Sequence, residues 1–150
     1  MLNKILPKKL ENKFTGHKIA LYAFVIITLV TIGRSLIHIL SADGGAQSIA
    51  TIPLNSYSIE SANAVVLLFA YWGVSQLIIG IVYLIVLFKY KELIPLMYLL
   101  LFLEYSGRLL TGLWKPIETV NTAPGAIGNY ILIPLSLILF YLSLPKTSKN

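Results

Sequence analysis

Leu103-Glu104-Tyr105-Ser106-Gly107-Arg108-Leu109-Leu110 lies late in an apolar run from about Glu92 to Trp114. Some 20 apolar residues are enough to cross a bilayer as a helix. The run therefore reads as a membrane span, with a carboxylate and a guanidinium four residues apart inside it. Charges at such depth are costly and normally face protein or a wet cavity. The order Glu104 then Arg108 is the favourable one for an (i, i+4) pair on a helix.

The rest of the chain repeats the pattern. Over 150 residues the composition is 57% hydrophobic and only 12% charged, with mean hydropathy +0.79. A soluble domain carries roughly 25% charged residues, so too few charges are present here to cover a water-facing surface. Three more apolar blocks fall at about 19–40, 63–88 and 126–144. The sequence thus predicts an all-α fold: an antiparallel bundle of four transmembrane helices (18–145), preceded by a basic arm (1–17) and followed by a polar tail (146–150). The arm contains Lys4, Lys8, Lys9 and Lys13 and is loosely helical in spacing despite Pro7, as suits a short helix on the inner leaflet or a simple positive flank.

Lysine placement predicts orientation. The arm with Lys18, the Lys89-Tyr90-Lys91 turn and the tail hold nine lysines, whereas the two opposite loops hold Lys115 alone, beside Asp43, Glu60 and Glu118. Both termini are expected in the cytoplasm. The turn 89–92 is short enough to set the second and third helices side by side. The connection from Ser41 to about Ser61 is long for a compact bundle and is expected to fold back over the outer ends of the helices. Pro134 should kink the fourth span and free a carbonyl near Tyr130.

Counting inward at about 1.5 Å per residue, His38 lies roughly 3 Å deep, Arg34 and Arg108 about 9 Å, and Glu104 and Trp72 about 13–15 Å, with Gln76 near the middle. In the first span Thr28, Thr31, Arg34, Ser35 and His38 fall within about 120° of arc, and in the second Trp72, Ser75, Gln76 and Tyr83 within about 100°. Asn129 and Tyr130 stand near the start of the fourth. Gly73 and Gly80 occupy a separate stripe, suited to a close helix approach within the chain or from a second copy. Arg34, His38, Trp72, Gln76, Glu104 and Arg108 are therefore the candidate ligand-binding residues of an outer-half polar pocket. Glu104 can neutralise one arginine. Arg34 needs Glu104, Asp43, Glu60, a freed carbonyl, water or a ligand anion. A planar guanidinium fork suits carboxylate or phosphate, so a small anion, an acidic lipid or a quinone is the expected occupant. The plainer alternative is that the Glu104–Arg108 pair only holds helices in register while Arg34 reaches outward to lipid phosphates.

No cysteine is present, which rules out disulfides and thiolate chemistry. Glycine-rich phosphate loops, H-E-x-x-H, G-x-S-x-G and dinucleotide fingerprints are absent, so no catalytic residue, metal or cofactor is assigned. The net charge of +6 belongs to membrane flanks rather than to a nucleic-acid stripe. A transporter would need the polar path to continue to the inner side, where Tyr83 and Ser143 are the main polar groups.

The four-span layout and the stretch Glu104-Tyr105-Ser106-Gly107-Arg108-Leu109-Leu110-Thr111-Gly112 resemble the DoxX-like group of small bacterial membrane proteins, in which a similar Gly-Arg-Leu-Leu stretch occurs. The resemblance implies a bacterial inner-membrane protein. Some relatives are subunits of quinone-linked oxidoreductases, which implies a quinone or lipid pocket and, for any redox role, a partner subunit carrying the redox centre. It assigns no site residue.

Overall fold

The computed structural model describes residue 5 and residues 10–145. Among these residues there is no strand. They form four helices long and apolar enough to cross a membrane, α1 (Lys18–Leu40), α2 (Ile59–Lys89), α3 (Ile94–Trp114) and α4 (Pro124–Ser143). The helix ends lie within a few residues of the ends of the apolar blocks. The largest difference is at α2, which begins at Ile59 because the Ser58 hydroxyl accepts the Ser61 amide and caps the helix early. Pro95 and Pro124 fall in first turns, where a missing N–H does no harm. α4 runs on through Pro134. The expected helix over the basic arm lies mostly outside the described residues.

Side chains facing away from the bundle are apolar. Ile26, Leu29, Leu68, Ile78, Leu103 and Ile138 are each more than half exposed, as a hydrocarbon-facing surface requires. The small-residue stripe of α2 faces α1 of the same chain. A Cβ at Gly73 would lie 2.8 Å from His38 Cβ and 3.0 Å from the Ser35 carbonyl oxygen; one at Gly80 would lie 2.7 Å from Ile32 Cγ1. The absent side chains let α1 and α2 approach closely along their length.

The bundle consists of two tight hairpins. α1 packs on α2, and α3 packs on α4, with looser contact between α1 and α4. The expected side-by-side packing of α2 and α3 holds only loosely: the turn makes them antiparallel, but their backbones hardly touch. Large side chains fill the seam between the hairpins. In its half nearest His17 and Leu142, the half expected to be inner from the lysine distribution, Phe24 packs against Tyr83 and Tyr98 at 5.1 and 5.6 Å, and the Tyr98 hydroxyl donates to the Ala20 carbonyl at 2.6 Å. Met97, Leu101 and Leu139 complete this core. The inner ends are gathered by His17 N–H donating to the Leu142 carbonyl and by Asn12 and Glu11 bonding to the α2–α3 turn. The outer half of the seam holds the polar residues.

The 41–58 connection folds back on the helix ends. Gly44 and Gly45 both take positive φ (60° and 74°), a conformation cheap only for glycine. That turn brings the Gly44 carbonyl to His38. Ala46, Ile52 and Leu54 pack on Val65, Val66 and Phe69 of α2. Asp43 accepts the amides of Gly45, Gln47 and Ser48 at 2.9, 3.1 and 2.6 Å. Partial burial works to raise its pKa, but these amides and the Ser48 hydroxyl outweigh it and hold the carboxyl at about 2. Thr51 ties this loop to the second outer loop: its carbonyl accepts the Val120 amide, and its hydroxyl donates to the Asn121 carbonyl at 2.6 Å.

Candidate functional site

Arg34 of α1, Gln76 of α2 and Glu104 and Arg108 of α3 form one hydrogen-bonded chain across the seam. An Arg34 terminal nitrogen donates to Gln76 Oε1 at 2.7 Å; Gln76 Nε2 donates to Glu104 Oε1 at 2.9 Å; Arg108 Nε meets the same oxygen at 3.2 Å. The second terminal nitrogen of Arg34 lies 3.5 Å from the Tyr105 hydroxyl, near the limit of a hydrogen bond. A single amide thus relays between a cation and a carboxylate carried on different hairpins.

The acceptor that Arg34 needs is Gln76. Asp43 is not available to it, because its oxygens are spent on its own loop. Glu60 is solvent-exposed at the start of α2. Two of the three hydroxyls on the polar arc of α1 turn inward to their own helix: Thr28 donates to the Phe24 carbonyl and Ser35 to that of Thr31. Ser75 is exposed and bonds the Tyr71 carbonyl, and Tyr130 is 62% exposed; neither belongs to the site that its arc or depth suggested.

Trp72 is the platform of the site. Arg108 lies over its ring at 4.5 Å and Arg34 at 5.5 Å, with the His38 ring beside it at 4.7 Å. Such cation–π contacts strengthen when desolvated. Phe69 stands at right angles to Trp72 at 5.8 Å. Gly73 permits His38 to sit this close to α2, and the Gly44 carbonyl lies 2.7 Å from His38 Nδ1.

A cavity of about 470 Å³ opens beside this cluster. Arg34, His38, Trp72 and Arg108 line it, but Gln76 and Glu104 do not; these two form the tie that holds the arginines behind its wall. Sequence reasoning missed Tyr105, which is buried, lines the cavity and lies 5.1 Å under Arg108. Its position next to Glu104 was the available signal. It also missed the start of α4, where Gly125, Ala126, Gly128 and Asn129 form one wall. Small residues leave no hydropathy signal, so only Asn129 was legible. An outer cleft of about 790 Å³, with Lys115 and Asn121 in its lining, adjoins the cavity at Ala50, Phe69, Ala123 and Ala126.

Among the described residues, four buried side-chain atoms have no hydrogen-bond partner: Arg34 Nε, His38 Nε2, Arg108 Nη2 and Asn129 Oδ1. All four belong to residues that line this one cavity. Buried polar atoms are nearly always paired, so the gathering of these four residues around one void sets this region apart from the rest of the bundle. Among the described residues no group of three or more His, Asp or Glu side chains could hold a metal ion. Compared with family models, curated proteins and solved structures, the chain matches none.

Proposed function

We propose that this chain is a small integral membrane binding protein, with both termini in the cytoplasm of a bacterial cell, that holds an anionic or quinone-type amphiphile in the cavity between its hairpins. The gathering of Arg34, His38, Arg108 and Asn129, each with an unpartnered buried polar atom, around one space of about 470 Å³ carries this reading. Two guanidiniums and one carboxylate leave a net single positive charge at the site, which favours an anion. The nine-to-one lysine distribution favours the orientation that puts the cavity on the outer side.

Binding is favoured over transport by what lies beneath. Below the cluster the seam is closed by Phe24, Tyr83, Tyr98, Met97 and Leu101, and the buried hydroxyls farther in, Thr28, Ser136 and Ser143, are each bonded to a carbonyl of their own helix. The test is retention of ligand. Delipidated protein is offered phosphatidylglycerol, oleate and a short-chain ubiquinone, and adducts are read by native mass spectrometry. The wild type retains one class, and Arg34→Ala and Arg108→Ala each reduce retention at least tenfold. Equal retention by both variants refutes the pocket.

A further inference from the structure

The two loops at the cavity end of the bundle are held in different ways. The first, 41–58, is packed: Ala46, Ile52 and Leu54 are buried against α2. In the second, every residue from Lys115 to Thr122 is exposed. Among the described residues, the hydrogen bonds between the two loops all converge on Thr51. Its carbonyl accepts the Val120 amide at 2.9 Å, and its hydroxyl donates to the Asn121 carbonyl at 2.6 Å and accepts the Asn121 amide at 3.3 Å. With no buried side chain between Lys115 and Thr122, the second loop depends on these bonds for its place.

Thr51 makes them from a strained conformation. Its φ is 57°, where a β-branched side chain crowds the backbone. The other positive-φ positions among the described residues are Gly44 and Gly45 of the same loop. Backbone geometry alone would put glycine at residue 51 as well. A threonine there is disfavoured by roughly 5- to 30-fold, and what it supplies in return is the hydroxyl that makes two of the three bonds. Strain of this kind collects at functional and switching segments.

The strap stands at the mouth of the cavity. Ile49 and Ala50 just before it, and Ala123 and Pro124 just after, line the space of about 470 Å³. Val120 and Asn121 line the adjoining cleft of about 790 Å³; with Thr51 they also line a separate space of about 600 Å³ on its other side. The bonds of Thr51 thus form the partition between the two. We infer that Thr51 is a strained latch: it holds the 115–123 loop across the entrance, and its release swings that loop aside and admits molecules from water at this end of the bundle. The latch acts on access and is independent of what the cavity holds.

The chain has no cysteine, so Gly128→Cys supplies a single thiol. Gly125, Gly128, Asn129 and Leu132 share the face of α4 that lines the cavity, and a Cβ at Gly128 meets nothing within 4 Å. Full-length protein in dodecyl maltoside is treated with a sulfonated methanethiosulfonate, which stays out of the micelle core and reaches the thiol from water. Where reclosing outpaces modification, the labelling rate follows the open fraction. Thr51→Val and Thr51→Gly both remove the hydroxyl and should speed labelling about threefold or more, since each lost bond corresponds to roughly 2- to 12-fold. Thr51→Ser keeps the hydroxyl and should label as the wild type does. Val120→Pro breaks the third bond from the opposite loop and should also speed labelling. Between the two hydroxyl-free variants, Thr51→Gly should resist dodecyl sulfate unfolding better, because it alone takes the positive φ without strain. A thiol at the buried Ser136 (Ser136→Cys), remote from the strap, should not respond to any of these changes. Equal rates at Gly128→Cys in the wild type, Thr51→Val and Val120→Pro overturn the latch, as does an equal rise at Ser136→Cys, which would mark general loosening. Thr51→Ser labelling as fast as Thr51→Val overturns the role of the hydroxyl, and equal stability of the Val and Gly variants overturns the strain. None of these readouts uses a ligand, so a failure of the binding function proposed above leaves them unchanged.

Discussion

Replacing Gln76 by leucine removes the relay between the hairpins at almost constant volume. Gln76 is 4% exposed and makes two bonds to charged partners, at 2.7 Å from Arg34 and 2.9 Å to Glu104. Side-chain hydrogen bonds within membranes average about 0.6 kcal/mol and reach about 1.7 kcal/mol each. Two such bonds set the loss at about 1–3 kcal/mol. Glu104 keeps Arg108, whereas Arg34 keeps only the 3.5 Å contact to Tyr105, so most of the loss falls on Arg34. The double variant Arg34→Met/Gln76→Leu should therefore be more stable than the sum of the single variants implies, by about 1 kcal/mol. Reversible unfolding in mixed dodecyl maltoside and dodecyl sulfate micelles, followed by helical circular dichroism, measures all four corners of the cycle. A coupling below about 0.3 kcal/mol, the ordinary additivity error, would refute the relay.

Gly73→Ala places a Cβ 3.0 Å from the backbone oxygen of Ser35 and 2.8 Å from His38 Cβ, so α1 must shift; a loss of about 1–3 kcal/mol in the same unfolding assay is expected. Tyr98→Phe deletes the buried 2.6 Å bond to the Ala20 carbonyl and should cost about 1 kcal/mol, with no change in ligand retention because the inner core is remote from the cavity. Asp43 has its folded-state pKa depressed from 3.8 to about 2. Its stabilisation is full above about pH 4 and is lost as pH falls toward 2. Discounted for solvent screening, this amounts to about 1 kcal/mol. Asp43→Asn should abolish that segment of the pH–stability curve between pH 4 and 2.

The helices were legible because a run of some 20 apolar residues has few other uses, and the antiparallel order because short turns join them. The pairing of hairpins was not. Nothing in the 89–92 turn reveals that α2 leans on α1; that preference comes from Gly73 and Gly80 matching Ser35, His38 and Ile32, a complementarity between two distant segments. At the site, periodicity and depth brought Arg34, Trp72, Gln76 and the Glu104–Arg108 pair together, because a charge in a membrane span has few places to go. Depth did not separate the residues that face the void from those that tie them from behind. It also could not see the wall made by Gly125, Ala126 and Gly128, whose contribution is backbone and space.

The division into two hairpins also bears on how the chain is made. Within the first hairpin Arg34 already has Gln76, and within the second Glu104 already has Arg108. Each half therefore holds a hydrogen-bond partner for its charged groups, an amide for Arg34 in the first and an ion pair in the second. A charged residue on its own carries a burden of roughly 2.5–3.5 kcal/mol on insertion scales, which these partners lessen. Within the site, the Gln76–Glu104 bond, the Arg34–Tyr105 contact and the seat of Arg108 over Trp72 are deferred to the meeting of the halves. Assembly is then expected as two hairpins followed by one docking step, and the cavity, lined from both hairpins, comes into being only at that last step.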